Sequence, residues 1–129
     1  MNDSKHPDLQ IGFSLEHCLL PEELEIIRQS MRVVSYQKHE VIFRQNTPTS
    51  HIMFVKSGLI KIYKEGRIKR VFTLKIASPG EFIGLMSVYG DEMYQFSGSA
   101  VLPAEIGYIS RQVFNDIIVK NNKFAFKEE

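Results

Sequence analysis

The spacing of apolar residues in LPEELEIIRQSM, residues 20–31, predicts a short amphipathic helix. Leu24, Ile27 and Met31 recur at helical intervals. Pro21 suits the first helical position, because a residue there needs no backbone N–H partner, and the two glutamates that follow complement the helix dipole. We therefore expect a helix that begins at Pro21 and buries one apolar stripe.

From residue 32 the pattern changes to brief apolar runs separated by turn residues. The runs are RVVSY, EVIF, HIMFVKSG, LIKIYKE, RVFTLKIA and AEIGYIS. Short strands at intervals of roughly ten residues are typical of an all-β sandwich, roll or barrel.

The clearest predicted hairpin is LIKIYKEGRIKRVFTLKIA, with its turn near Gly66. Its two strands carry alternating apolar residues. We expect one face to hold Ile60 and Ile62 on the first strand, and Phe72, Leu74 and Ile76 on the second.

The segment SRQVFNDIIVKNN returns to helical spacing. Ser110 is a good N-cap, and one stripe of the helix holds Val113, Phe114, Ile117 and Ile118. This stripe, with Phe124 beyond it, needs cover, so we expect it to fold back on the strands or to meet a second copy.

Composition narrows the classes of protein. A chain of 129 residues with 43% hydrophobic residues fits one globular domain. Cys18, the single cysteine, excludes an intramolecular disulfide and a four-thiolate iron–sulfur cluster. No apolar run approaches the roughly 18 residues of a membrane span, so we expect a cytoplasmic protein without a membrane partner.

Charge and motif content argue against several activities. The net charge is +1, so no overall field attracts nucleic acid. His6, His17, His39 and His51 form no ligand-like pair, although a cupin-like metal protein stays the least favoured alternative. No catalytic motif is present, so we expect neither an enzyme nor a cofactor. The basic run KEGRIKR is typical of a solvated hairpin end, with a partner contact as the alternative.

Three segments together resemble the cyclic nucleotide-binding domain of the Crp/Fnr family of bacterial transcription regulators. They are YQKHEVIFRQNTPTSHIMFVKSGLIKIYKEG, FTLKIASPGEFIGLMSVYG and SAVLPAEIGYISRQVF. Gly58, Gly80 and Ala100 stand where that family places its turn glycines and roll strands. The resemblance implies a mainly β fold, an eight-stranded double-stranded β-helix (a jelly roll or β-roll) flanked by N- and C-terminal helices. We expect this domain to cover residues 20–129, after an N-terminal extension of residues 1–19.

The resemblance also implies a phosphate-binding cassette at residues 82–99. In the family a cassette Glu holds the ribose hydroxyl and an Arg pairs with the cyclic phosphate. Here Leu85 stands at the Glu position, and Gln95, or Tyr94 in a shorter alignment, stands at the Arg position. We therefore expect no tight binding of cyclic AMP. The candidate ligand-binding residues of this degenerate cassette are Phe82, Gly84, Leu85, Met86, Ser87, Tyr94, Gln95, Phe96, Ser97 and Ser99.

The resemblance leads to one preferred function and leaves alternatives. The preferred one is the effector-sensing domain of a Crp/Fnr-type regulator with an unknown small-molecule effector, neutral or weakly anionic. The main alternative is a ligand-free association module whose pocket is vestigial or filled by its own Tyr89, Met93, Tyr94 and Phe96.

Family members continue into a dimerisation helix and a helix-turn-helix module. The sequence ends at KFAFKEE. We therefore expect DNA contact only through a module outside this chain, and at most a weak homodimer.

Overall fold

The computed structural model describes residues 13–14, 19–49, 51–84 and 93–120. Two helices flank a set of antiparallel strands, as predicted. In chain order the elements are β1 (Phe13–Ser14), α1 (Pro21–Ser30), β2 (Arg32–Tyr36), β3 (Val41–Phe43), β4 (His51–Ser57), β5 (Ile60–Glu65), β6 (Val71–Ala77), β7 (Glu81–Ile83), β8 (Ser97–Ala100), β9 (Ala104–Ser110) and α2 (Arg111–Lys120). A short 3-10 turn, Arg67–Lys69, joins β5 to β6.

The strands form two stacked antiparallel sheets. One sheet has five strands in the order β1-β7-β4-β9-β2, and the other has four in the order β3-β8-β5-β6. The eight strands from β2 to β9 make the roll, and the two-residue β1 adds to the edge of β7. The mainly β, eight-stranded fold class with two flanking helices is therefore confirmed.

The first core lies between the five-stranded sheet and the two helices, and we call it the helix-side core. Its buried members are Leu19, Ile27, Ile52, Phe82, Ile109, Phe114 and Ile117. Both helices begin as predicted. Glu23 accepts a hydrogen bond from the Leu20 backbone N–H at 2.8 Å, and the Ser110 hydroxyl accepts one from the Val113 backbone N–H at 3.1 Å. The C-terminal stripe thus folds back on the sheet through Phe114 and Ile117.

The second core fills the space between the two sheets, and we call it the roll interior. It comprises Phe43, Met53, Val55, Ile60, Ile62, Ala77, Ile83, Tyr94, Ala100, Ala104 and Ile106. Neighbouring residues of one strand go to different cores, since strand side chains alternate. In β7, for example, Phe82 belongs to the helix-side core and Ile83 to the roll interior.

The turn after β4 confirms the predicted role of Gly58. Its φ is +89°, a conformation that glycine adopts without steric cost. A Cβ atom there would also lie 2.6 Å from the Cβ of Ala104, so the close approach of these two backbone segments requires glycine at position 58.

The prediction of the apolar face of the β5–β6 hairpin is right for β5 but wrong for β6. Ile60 and Ile62 are buried, but their partners across the ladder are Ala77 and Lys75. A register shift between Ile62 and Tyr63 also breaks the alternation. As a result, the predicted inward residues of β6 are exposed: Phe72, Leu74 and Ile76.

Candidate functional site

The predicted cassette joins β7 to β8, which lie in different sheets. Residues 85–92 are outside the described ranges, and these include the candidates Leu85, Met86 and Ser87. Gly84, which ends the described part of this connection on the β7 side, is buried and has a φ of +86°. The predicted cassette therefore begins beside the roll interior, against Tyr94 and Met53.

The side chain of Tyr94 occupies the roll interior beside Gly84. Only 7% of this residue is exposed, and its ring centroid lies 4.8 Å from that of Phe43. A Cβ atom built on Gly84 would lie 3.7 Å from the Tyr94 ring, in ordinary van der Waals contact. The ring of Tyr94 thus packs directly against the start of the cassette.

Backbone hydrogen bonds hold Tyr94 in this position. Its N–H donates to the carbonyl of Thr47 at 2.9 Å, and its carbonyl accepts from the N–H of Asn46 at 2.8 Å. This reciprocal pair joins the cassette end to the loop between β3 and β4. Because the backbone is held by these hydrogen bonds, the Tyr94 ring could leave the interior only by losing its packing contacts there.

The side chains at the two positions proposed for the cassette Arg point in different directions. Tyr94 points into the roll, whereas Gln95 is exposed. A side chain that reached a ligand in the roll interior would have to come from position 94. Of the two positions, 94 is therefore the one whose side chain lies inside the roll.

Two further tyrosines pack against the roll interior. The hydroxyl groups of Tyr36 and Tyr108 hydrogen-bond to each other. Burial raises the pKa of Tyr108, and its hydrogen bond to Tyr36 raises it further. Burial, with a smaller effect of Tyr36, raises the pKa of Tyr94 to about 12. Burial thus favours the protonated, neutral form of Tyr94 and Tyr108.

The sequence analysis missed Tyr36 and Tyr108 as interior residues, although a signal was present. Tyr108 stands in the same alternating register as the buried Ala104 and Ile106 of AEIGYIS, and Tyr36 stands in the register of the half-buried Val34 of RVVSY. Ile106 and Tyr108, for example, share one face of β9. An aromatic residue with a polar tip in such a register indicates a hydroxyl inside the roll.

Ser97 and Ser99 stay predicted ligand groups, and the structure gives their surroundings. Gly98 and Ala100 stand opposite the buried residues Ile62 and Ile60. Ser97 is fully buried opposite Tyr63, and its hydroxyl accepts a hydrogen bond from the Gln45 backbone N–H at 2.9 Å. Ser99 is half-buried opposite Lys61.

Two aromatic candidates have different surroundings. Phe82 lies in the helix-side core, where its ring centroid is 4.9 Å from that of Phe54 and 5.7 Å from that of Phe114. It supports the sheet from behind and does not line the roll interior. Phe96 is half-buried against the roll interior, and the Lys64 ammonium lies 5.7 Å from its ring centroid.

One ion pair lies near the mouth of the roll. Lys75 stands opposite the buried Ile62, and its ammonium is 3.0 Å from Oε1 of Glu81. The hydroxyl of Ser78 donates to the other oxygen of Glu81 at 2.9 Å. Since the two charges cancel, this pair adds no net charge to the site.

The described histidines do not form a metal centre. His39 is exposed at a turn, and the ring of His51 stands edge-on to that of Tyr108 at 6.0 Å. Within the described ranges, no three side chains of His, Cys, Asp or Glu come close enough together to hold a metal ion. Neither described helix is long and apolar enough to span a bilayer.

Comparison with known proteins gives the family. The family model for the cyclic nucleotide-binding domain matches residues 33–121. The anaerobic regulatory protein of Bacillus subtilis (strain 168) is 23% identical over 92 residues, which cover 70% of this chain and 39% of that protein.

Two solved structures have the same fold. The catabolite activator protein of Thermus thermophilus superposes with a TM-score of 0.75 and is 25% identical, over 87% of this chain and 53% of its own. The sensor domain of the regulator DNR from Pseudomonas aeruginosa gives a TM-score of 0.76 at 19% identity, over 95% of this chain and 81% of its own. The chain thus spans about half, or less, of the full-length regulators it resembles. It belongs to the cyclic nucleotide-binding domain family, and its resemblance to Crp/Fnr regulators is confirmed.

Proposed function

We propose that this chain is the effector-sensing domain of a Crp/Fnr-type transcription regulator whose cassette no longer grips cyclic AMP. The family match and the regulators among its relatives support the sensing role. DNA binding would belong to a helix-turn-helix module, as in the resembled family, and we propose no enzymatic activity for the domain.

The position of Tyr94 is the observation that carries this proposal. A guanidinium that paired with a cyclic phosphate would have to point into the roll, and the residue that does so is a tyrosine with a neutral hydroxyl. Leu85, at the Glu position, offers no partner for a ribose hydroxyl. Each lost charged contact is worth about 1.5–3 kcal/mol, so together they weaken binding by about 100-fold to 10,000-fold.

The chemistry of the interior favours an uncharged effector over an anion. Burial favours the neutral form of Tyr94 and Tyr108, and the charge of Lys75 is balanced by Glu81. An effector with an aromatic or apolar body and one hydrogen-bonding group would suit this surface. Ser97 and Ser99 stay candidates for this hydrogen-bonding contact, although the Ser97 hydroxyl already accepts a hydrogen bond from the Gln45 backbone N–H.

Calorimetry with cyclic AMP tests the proposed loss of the charged grips. We expect the wild-type chain to show no saturable binding below about 1 mM. The double variant Leu85→Glu, Tyr94→Arg should bind at least about tenfold more tightly, since it restores both charges and opens the interior. The matched control is Leu85→Glu, Gln95→Arg, which adds the same charges but places the guanidinium on an exposed position.

Two results would contradict the proposal. Micromolar affinity of the wild-type chain would show that backbone N–H groups suffice without the charged residues. A gain of affinity in the Gln95 variant alone would show that position 95, and not position 94, faces the ligand. Thermal unfolding of each variant establishes that it is folded before binding is measured.

A ligand-free association module is the second candidate, and the buried ring of Tyr94 also favours it. A thermal-shift screen of nucleotides and small metabolites separates the two candidates. A ligand at 100 times its Kd stabilises the folded state by about 2.7 kcal/mol, which such a screen detects. If no compound shifts the wild-type chain but some shift Tyr94→Ala, the ring itself blocks the site and the second candidate is correct.

A further inference from the structure

The tip of the β5–β6 hairpin, residues 66–70, presents an apolar side chain surrounded by cations. Ile68 is 90% exposed, the largest exposure among the large hydrophobic residues that the structure describes. Arg67, Lys69 and Arg70 flank it. Their side chains make no hydrogen bond or ion pair with any residue in the described ranges. This hairpin tip is therefore a cationic knob with an apolar centre.

The backbone of the hairpin tip is strained at its apolar residue. Ile68 has φ +59° and ψ +39°, in the left-handed region that β-branched residues avoid, and the next residue, Lys69, also has a φ of +59°. Glycine or asparagine would relieve the strain, so neither folding nor solubility explains an isoleucine at this position. An exposed and strained apolar residue is the kind of feature that a contact surface retains.

The base of the hairpin is held rigidly against the body of the domain. The side-chain amide of Gln45 donates to the carbonyl of Glu65 at 3.2 Å, and the Glu65 backbone N–H donates to Oε1 of Gln45 at 2.8 Å. Gly66 donates its N–H to the Arg70 carbonyl at 2.8 Å, which closes the turn. The knob is thus presented in a fixed orientation, which lowers the entropy cost of a contact.

A groove of complementary chemistry lies between α1 and α2, and we call it the helix groove. Its volume is about 280 Å³, and it is lined by Glu23, Ile26, Val113, Asp116, Ile117 and Lys120. Ile26 is 49% exposed there. A cavity of about 150 Å³ accommodates a six-carbon ring, so the four-carbon side chain of isoleucine fits with space to spare.

The rim of the helix groove carries more acidic than basic groups. Glu23 and Asp116 line it, and the exposed Glu22 lies one helical turn before Ile26. Lys120 offsets one of these three carboxylates. The net negative rim and apolar floor match the positive flanks and apolar centre of the hairpin tip.

We propose that Ile68 of one copy of this chain inserts into the helix groove of a second copy, with the cations of the tip facing the acidic rim. The contact cannot form within one molecule. The hairpin extends from the four-stranded sheet, whereas the helices pack on the far side of the five-stranded sheet. Each copy therefore offers a knob to one neighbour and a groove to another, which is a head-to-tail arrangement.

We expect this contact to be weak, because it is small, and salt-dependent, because its charges are exposed. A single hairpin tip buries well under the roughly 1,000 Å² of a stable interface, so we expect a Kd of about 0.1–1 mM. Such an affinity becomes significant when two copies are held together by other parts of a regulator, because tethering raises the effective concentration to about millimolar. Raising the ionic strength screens the exposed charges and weakens the contact.

Analytical ultracentrifugation at concentrations up to about 2 mM tests the proposal with two variants. Ile68→Asn removes the knob with a residue that tolerates the left-handed backbone, so its thermal midpoint should not fall. Ile26→Lys places a cation in the groove at a half-exposed position. The matched control is Val119→Lys, the same change at a residue of α2 that is 70% exposed and does not line the groove.

The expected result is a pattern of complementation. The wild-type chain and Val119→Lys should associate as concentration rises, whereas Ile68→Asn and Ile26→Lys should each lose at least about tenfold in affinity. An equimolar mixture of these two should recover association but stop at dimers, because only one intact groove and one intact knob meet.

Three results would overturn the proposal. They are a wild-type chain that stays monomeric at about 2 mM, association that neither variant weakens, and a mixture of the two variants that remains monomeric. A charge variant of the groove rim, Glu22→Lys with Asp116→Lys, serves if Ile26→Lys proves unfolded. It should abolish self-association and should pair in mixtures with Ile68→Asn, which keeps an intact groove.

Discussion

The helix-side core and the roll interior are both buried, but their contents differ. The buried members of the helix-side core are entirely apolar, from Leu19 to Ile117. The roll interior includes the hydroxyl of Tyr94 and is lined by those of Tyr36 and Tyr108. A core that only stabilises the fold has no need of such groups, since each buried hydroxyl requires a partner. The difference therefore distinguishes a purely apolar core from one that also holds hydroxyl groups.

The two cores also differ in the kind of side chain that packs against their glycines. On the roll side, a Cβ atom at Gly98 would lie 2.3 Å from the ring of Phe43. On the helix side, a Cβ atom at Gly107 would lie 2.0 Å from the sulfur of Met31. An aromatic ring fixed in a packed interior cannot yield, whereas a methionine side chain can adopt another rotamer. The roll interior is thus the more rigid of the two.

The largest expected effect comes from Phe114→Ala in the helix-side core. Phe114 is fully buried and its ring contacts that of Phe82, so truncation leaves a cavity between helix and sheet. We expect the free energy of unfolding to fall by about 3–5 kcal/mol in urea denaturation. Val119→Ala, on the same helix but exposed, should change it by less than about 0.5 kcal/mol. Equal effects of the two would show that α2 does not pack on the sheet.

The glycine pair gives the next largest effect and sharpens the comparison directly. Gly98→Ala should lower the free energy of unfolding by about 2–3 kcal/mol, because the Phe43 ring must shift. Gly107→Ala should cost about 1 kcal/mol, since the side chain of Met31 can move aside. Chemical denaturation of both variants measures the difference. A larger loss for the Gly107 variant would reverse the assignment of the rigid core.

The smallest effect is a dependence on alkaline pH that only the roll interior should show. The pKa of Tyr94 is raised to about 12 in the folded state, above the value of about 10 for an exposed tyrosine. As pH rises above 10, the unfolded chain loses this proton first. Stability is therefore full below pH 10 and declines as pH passes from 10 towards 12.

The variant Tyr94→Phe tests this decline. It should lose less stability than the wild-type chain over the same range, by about 1 kcal/mol at pH 11. Urea denaturation at a series of pH values measures both curves. Parallel curves would mean that Tyr94 ionises as readily in the folded state as in the unfolded chain.

Local patterns made most elements of the fold predictable from sequence. Helix capping by Ser110, the start of α1 at Pro21 and the left-handed turn at Gly58 all depend on near neighbours in the chain. The runs RVVSY and AEIGYIS form β2 and β9 with the bounds the runs suggested. The strands β7 and β8 were not predicted as separate elements, because three- and four-residue strands carry too little alternation.

The candidate site was less predictable than the fold. The sequence identified the cassette and the positions 94 and 95 at which a charge is missing. It could not decide which of these positions points inward, because a shift of one residue moves a side chain to the opposite face of a strand. For the same reason it could not decide which residues of β8 line the roll interior, where Ala100 lies.

The sequence by itself determined most of the secondary structure, the family resemblance, and the absence of Glu at position 85 and of Arg at positions 94 and 95, because each depends on residue types at short spacing. Only the tertiary structure decided that Tyr94 fills the roll, that Tyr36 and Tyr108 share a hydrogen bond, and that Phe72, Leu74 and Ile76 are exposed. These features depend on register between strands that are far apart in the chain. A one-residue shift in the ladder, as between Ile62 and Tyr63, changes which face each side chain occupies and leaves no local signal in the sequence.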